Sequence, residues 1–239
     1  MNVIVIIYLF IQNEKKKNLI YAHNHFSFFD KIVLKKRLEM VKIIQHQINK
    51  LKIRDILDIG TTSDSENESS NIIIKNLKNL NSYKSISDQK ITMQLFEKKV
   101  KKSITGNFSK KEFDDLRSDL VISNATIEHV GSKRRQKKMI ANIIKLSKIM
   151  FIIITPNRFF PIDFHTKIPL IHWFPKKIHR FILKVLGLKF YAKEKNLNLL
   201  SKNDFVEIID QKEVSLTITD IKLFKLSSNL IVIGKKSKF

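Results

Sequence analysis

The chain has 239 residues, 43% hydrophobic and 28% charged, with 45 Lys and Arg against 22 Asp and Glu and no cysteine. That length suits one α/β domain with its own core and a short extension, and the missing cysteines exclude disulfides, thiolate metal sites and cysteine nucleophiles. The net charge of +23 suits a polyanionic partner, yet only seven of the basic residues are Arg, the type favoured for bidentate phosphate recognition, so compositional bias is the stronger explanation.

Residues 1–11 form an apolar run followed by Lys15, Lys16 and Lys17. The run is well short of the roughly 20 residues of a spanning helix. A signal peptide carries its positive charge before the apolar stretch, so the run reads as a buried strand, a helix start or a weak surface anchor. Residues 13–50 read as helical, with Leu38, Val41 and Ile44 on one stripe. Arg54 to Ile59 is a short apolar strand ending at Gly60, and Thr61 to Ser70 is a polar loop. Asn71 to Leu80 reads as a helix, Tyr83 to Ile86 as a second strand and Ile91 to Lys102 as another helix.

Asp119 to Ser123 is a strand, and Lys133 to Lys148 is a helix with a basic outer face. Ile149 to Ile154 is apolar throughout, as in a parallel strand covered on both sides. The aromatic segment 155–190 is too long for a plain connection and reads as functional. Within it, Pro175 to Gly187 reads as a short amphipathic helix with a basic side. Val214 to Phe224 is a strand, Leu226 to Asn229 a turn and Asn229 to Gly234 a second strand, together an antiparallel hairpin.

This rhythm predicts an α/β fold with a Rossmann-like, doubly wound sheet, mostly parallel with a C-terminal antiparallel hairpin. Residues 1–50 are the N-terminal helical extension. Residues 51–239 are the main domain, with 155–190 as an insertion covering an acceptor.

Ile56-Leu-Asp-Ile-Gly60 resembles the first motif of the class I S-adenosylmethionine-dependent methyltransferases. There an acidic residue ends the first strand and glycine lets the backbone approach the cofactor. The family usually reads Asp-x-Gly-x-Gly, and here Thr62 takes the second glycine position. Asp119 to Gly131, with its Glu-His-Val ending, resembles the fourth strand and the loop after it. Thr155-Pro-Asn157 resembles the Thr-Pro-Asn that follows the fifth. The resemblance covers roughly residues 50–239 and is similar to the methyltransferase type 11 group that includes quinone-biosynthesis O-methyltransferases.

The resemblance implies S-adenosyl-L-methionine as cofactor. It implies Asp58, Gly60 and Thr62 at the methionine end, Asp88 on the ribose hydroxyls, Asn107 at the adenine amino group and Phe108 over the ring. Asn124 and Ala125 would lie beside the sulfonium. Each has a plainer alternative. Asp58 and Gly60 also end a strand in any Rossmann-like protein, Asp88 is also a helix-cap type, Asn107 a turn type and Phe108 a core type.

The methyl donor is already activated, so the protein chiefly positions the acceptor. A hydroxyl acceptor gains from a general base. Glu128 and His129 after the fourth strand, and His165 in the segment after the fifth, are the candidates. A helix cap and packed histidines are the alternatives. In the quinone O-methyltransferases a Glu-x-x-Glu-His pattern goes with a divalent metal. Ala125 stands at the first carboxylate position, so no metal is expected.

The expected activity is methyl transfer to a small-molecule or lipid-linked acceptor, at oxygen. The basic amphipathic helix suits peripheral contact with an anionic membrane, with a core helix that keeps a solvated face as the plainer alternative. The expected location is the cytoplasm, with the inner membrane face as the surface such contact would use. A nucleic-acid methyltransferase is the first alternative. Against it, the lysines are scattered and Asn124-Ala-Thr-Ile replaces the Pro-Pro signature of base methyltransferases. A non-catalytic module of the same fold is the second alternative.

Overall fold

The computed structural model describes residues 28–63 and 71–236. The apolar run at 1–11 and most of the loop ending at Ser70 lie outside the described residues. The chain divides into two units, 1–35 and 36–239. In the first, residues 28–35 are helical.

Helix α1 (Phe28–Leu51) enters the second unit at Lys36 and buries Met40, Val41, Ile44 and Ile48. Positions 40, 44 and 48 repeat every four residues and share one helical face. The helix stops because Lys52 turns left-handed (φ 53°) and the Ile53 amide donates back to the Ile48 carbonyl at 3.0 Å. This C-cap satisfies a carbonyl the helix leaves open.

Seven strands follow: β1 (Asp55–Ile59), β2 (Ser82–Ser87), β3 (Lys98–Lys101), β4 (Ser118–Asn124), β5 (Ser147–Pro156), β6 (Val214–Leu223) and β7 (Leu226–Lys236). Their order in the sheet is β3-β2-β1-β4-β5-β7-β6. β1 to β5 pair in parallel, whereas β7 runs antiparallel to both β5 and β6. The Rossmann-like sheet with a C-terminal antiparallel hairpin is therefore as expected. Within β5 the run Met150 to Ile154 is apolar and buried, as a strand covered on both faces requires. Gly234 on β7 is required by packing, since a Cβ there would sit 2.2 Å from the Phe151 ring on β5.

Helices link the strands. α2 (Ile72–Asn76) joins β1 to β2, and α3 (Lys110–Leu116) joins β3 to β4. α4 (Lys133–Leu146) joins β4 to β5 and buries Met139, Ile140 and Ile143 in the main core. α5 (Lys176–Val185) and α6 (Lys202–Ile208) lie between β5 and β6. No helix of the described residues is long and apolar enough to cross a membrane.

Three local expectations are corrected. Ile91 to Lys102 is not a helix but a loop leading into β3. Its last residues alternate between half-buried and exposed, the two-residue period of an edge strand. The helix read over Asn71 to Leu80 ends at Asn76, because Leu77 is extended (ψ 141°) and buried with Ile72, Ile73 and Ile74. The hairpin turn is Phe224-Lys225, not Leu226 to Asn229. Both residues are left-handed (φ 49° and 66°), as a two-residue primed turn requires.

Candidate functional site

The chain runs outward from β1 to β3 and then crosses back to β4. The strand order therefore reverses between β1 and β4, and in open α/β sheets ligands bind at the carboxyl ends of strands beside such a reversal. A cavity of about 240 Å³ lies there. Asp58, Ile59, Gly60 and Thr62 line it from the end of β1, and Ile122, Asn124 and Ala125 from the end of β4. Arg37, Asn71, Ile73 and Ile74 complete the lining.

The Asp58 side chain is buried and accepts a hydrogen bond from the Thr61 hydroxyl, which also contacts Ser85. Burial pushes the Asp58 carboxyl up to about 6, against the smaller opposing pull of Thr61. Gly60 is left-handed (φ 88°), and its amide donates to the Ile86 carbonyl at 2.9 Å. A Cβ on Gly60 would lie 2.0 Å from Thr126 Oγ1. Thr126 in turn donates to the Ile59 and Asn124 carbonyls, so β1 and β4 are clamped at the cavity floor. Thr62 is held by Asn71, whose side chain accepts from the Thr62 amide at 3.1 Å and donates to its carbonyl at 3.1 Å.

A second group of polar residues follows β4. Glu128 and His129 lie on the 3-10 turn Ile127–His129, and His165 lies in the segment after β5. The structure brings all three together, with one ligand-type atom from each within 4.8 Å of the others. Glu128 is fully buried, and its Oε2 accepts from Thr155 Oγ1 at 2.9 Å. Ser132 caps α4, so Glu128 is not that cap. His165 Nδ1 is 3.1 Å from Asp163 Oδ1. Burial pulls the His165 imidazole down, but the Asp163 hydrogen bond and the Glu128 and Asp163 charges outweigh it and the net shift is upward. Burial also opposes the Asp163 charge, yet the contacts with His165 and Thr166 bring its carboxyl down to about 2.

No protein-family profile and no curated protein matches the chain. Solved structures do. Magnesium protoporphyrin IX methyltransferase from Synechocystis PCC 6803 is 11% identical, with 95% of each chain covered and a TM-score of 0.52. The CurJ carbon methyltransferase is 13% identical over 84% of this chain and 54% of that one, with a TM-score of 0.56. The small RNA methyltransferase HEN1 is 13% identical over 84% of this chain and 25% of that one, with a TM-score of 0.53. The chain has the class I methyltransferase fold.

Within this methyltransferase fold, Asp58, Gly60, Thr62, Asn124 and Ala125 share the cavity wall. Asp88 is exposed just beyond the end of β2, the strand beside β1, and is not part of that wall. Asn107 and Phe108 lie in the loop before α3. Asn107 is exposed, whereas Phe108 packs against the core, 5.5 Å from Phe113 between ring centroids and with Lys102 Nζ 4.6 Å above its ring. Neither lines the cavity.

Sequence reasoning missed Arg37, Asn71 and Asp163. Arg37 is one of several basic residues on α1, and nothing local in the sequence singles it out. Asn71 and Asp163 had one, since both residue types bond nearby backbone and side-chain groups. Asp163 accepts from Thr166 Oγ1 and from the His165 amide, which fixes the turn that presents His165.

Proposed function

We propose that the chain transfers the methyl group of S-adenosylmethionine to a hydroxyl oxygen of a small-molecule or lipid-linked acceptor. The cavity at the β1–β4 reversal carries this reading. Its buried Asp58 suits the ammonium group of an amino-acid ligand, because a neighbouring cation offsets the cost of a buried carboxylate. The Synechocystis enzyme was solved with SAH bound and with SAM bound, which supports the same cofactor here. That cofactor supplies an activated methyl group. The residues of the chain orient the acceptor and take its proton.

Oxygen is favoured because a hydroxyl must lose a proton and a histidine pair stands just past Ala125. A lipid-linked acceptor is favoured by α5. Ile178, Phe181 and Val185 fall on one outward stripe, with Phe181 66% and Val185 71% exposed. The exposed Lys177 and Lys184 flank it. An apolar stripe beside lysines matches an anionic lipid surface, which supports contact with the inner face of the membrane.

Thermal unfolding with S-adenosylhomocysteine, against ATP and NAD as controls, tests the cofactor. Ligand at about 100 times its dissociation constant stabilises by ~2.7 kcal/mol, a rise of several degrees in Tm for a domain of this size. A folded sample that shifts equally with all three ligands, or with none, would overturn the reading.

A further inference from the structure

The two edges of the sheet are built differently. β3 closes one edge with four residues, three of them Lys98, Lys99 and Lys101. Short strands and lysines are how natural sheets keep other chains off an edge. β6 closes the other edge with ten residues. From Val214 to Thr219 it reads Val-Ser-Leu-Thr-Ile-Thr, without one charge in a chain that is 28% charged. Its pairing with β7 runs in register from Val214 to Ile221 and shifts only at Lys222, so no bulge interrupts this stretch. Among the described residues, no backbone group bonds the outer side of β6. Every second residue of such a strand turns its N–H and C=O outward, a ready template for another strand.

We propose that β6 pairs with β6 of a second copy of the chain, antiparallel and about a two-fold axis at Thr217, joining two sheets into one. In that register Thr217 meets its own copy, Ser215 meets Thr219, Leu216 meets Ile218 and Val214 meets Asp220. Ser215, Thr217 and Thr219 share the exposed face, where hydroxyl pairs across strands are stabilising. Leu216 and Ile218 share the other face and pack against the main core, yet they stay half-buried because no strand lies beyond them. The second copy supplies Ile218 and Leu216 to cover them. Both faces of the strand thus match themselves in one register, as a two-fold interface requires, and this favours a second copy over a strand of another protein. No like charges oppose each other, and Asp220 is already paired with Lys202 Nζ at 2.6 Å.

The rest of the molecule sets the strength of the contact. Two copies of net charge +23 repel each other, and salt screens that repulsion, so association strengthens with salt. One strand pair buries less than the ~1,600 Å² of a standard interface, so the dimer dissociates on dilution. β5 and β7 stand between β6 and β4, which leaves the cavity of each copy open.

Sedimentation of the full chain over a range of concentrations, at low and high salt, tests the pairing. A reversible monomer–dimer equilibrium that high salt favours is expected. Thr217→Lys places two lysines opposite each other and weakens the dimer several-fold. Thr217→Glu does the same, and a mixture of the two variants pairs again. The chain has no cysteine, so Thr217→Cys supplies a single thiol. Antiparallel neighbours lie about 4.5–5.5 Å apart between Cα atoms, within disulfide reach, and mild oxidation gives a covalent dimer. Lys99→Cys on the guarded edge stays monomeric. All these side chains are exposed or replace exposed ones, so circular dichroism stays native. A chain that is monomeric at every concentration would overturn the proposal. So would a dimer that high salt dissolves, since a polyanion then bridges the copies, or a Thr217→Cys chain that crosslinks no faster than Lys99→Cys.

Discussion

The side chain of Thr126 occupies the space a side chain on Gly60 would need: a Cβ there would lie 2.0 Å from Thr126 Oγ1 and 2.7 Å from its methyl carbon. Gly60 thus serves the clamp between β1 and β4 as much as any ligand. Gly60→Ala is expected to cost about 1–3 kcal/mol through overpacking, with further strain from its positive φ. Adding Thr126→Gly should recover part of the loss. Additive losses in a double-mutant cycle by thermal unfolding would contradict the contact.

Asp58 ties the cavity to pH. Its carboxyl is raised from 3.8 to about 6 in the fold, so between those values the folded state holds more protons than the unfolded. Stability therefore falls as pH rises through that window, by about 3 kcal/mol in full above pH 6. Asp58→Asn should flatten that part of the stability profile. If the carboxylate meets a ligand ammonium, affinity for S-adenosylhomocysteine should drop up to tenfold per pH unit below 6 in the wild type and stay level in the variant. Calorimetry between pH 5 and 8 reads both.

His179 works in the opposite direction. It is buried, and its Nε2 has no hydrogen-bond partner among the described residues. Burial first, and then the charges of His172, Arg158 and Arg180, bring its imidazole down to about 4 despite the opposing pull of Asp163. The unfolded chain takes up this proton near pH 6.5, so stability is lost as pH falls from 6.5 through 4. His179→Leu should lose less Tm than the wild type between pH 6.5 and pH 4.5. An equal loss would place the acid sensitivity elsewhere.

Asn198 joins three segments. Its side chain donates to the Gly131 carbonyl at 2.7 Å and to Gln136, accepts from Lys176 Nζ, and its amide donates to the Glu128 carbonyl. Asn198→Ala leaves buried partners unpaired and should cost about 1–3 kcal/mol. Denaturant unfolding reads the loss, and a change below 0.5 kcal/mol would deny the network its weight.

The exposed stripe of α5 predicts binding to vesicles. Phe181→Ser with Val185→Ser should lower retention on anionic phosphatidylglycerol vesicles while leaving Tm unchanged, because both side chains stand in solvent. Equal retention of variant and wild type would remove the lipid surface from the account.

The sequence by itself carried the central sheet. Leu120 to Ile122 and Ile149 to Ile154 are apolar runs short enough for buried strands, and the stripe of α4 repeats at the helical period. The resemblance of residues 56–60 and 119–131 to known motifs also pointed to Asp58, Gly60, Glu128 and His129, which stand at or just past the ends of strands beside the sheet reversal. Two helices were legible yet overlooked. α3 and α6 each begin with a capping box, Ser109 with Glu112 and Ser201 with Asp204, a pattern four residues long.

Only the tertiary structure decided the rest. β3 lies on the edge of the sheet, and its alternation is too short to distinguish from a helix by pattern alone. The turn at Phe224-Lys225 carries no glycine signal, because the pairing of β6 with β7 imposes its left-handed geometry. The meeting of His165 with Glu128 and His129 spans 36 residues. It depends on the Asp163 turn, on Thr155 and on Asn196 at once. Hydrogen bonds between distant segments leave no periodicity in a sequence, since each partner need only be polar. Folding alone decides which polar residues meet.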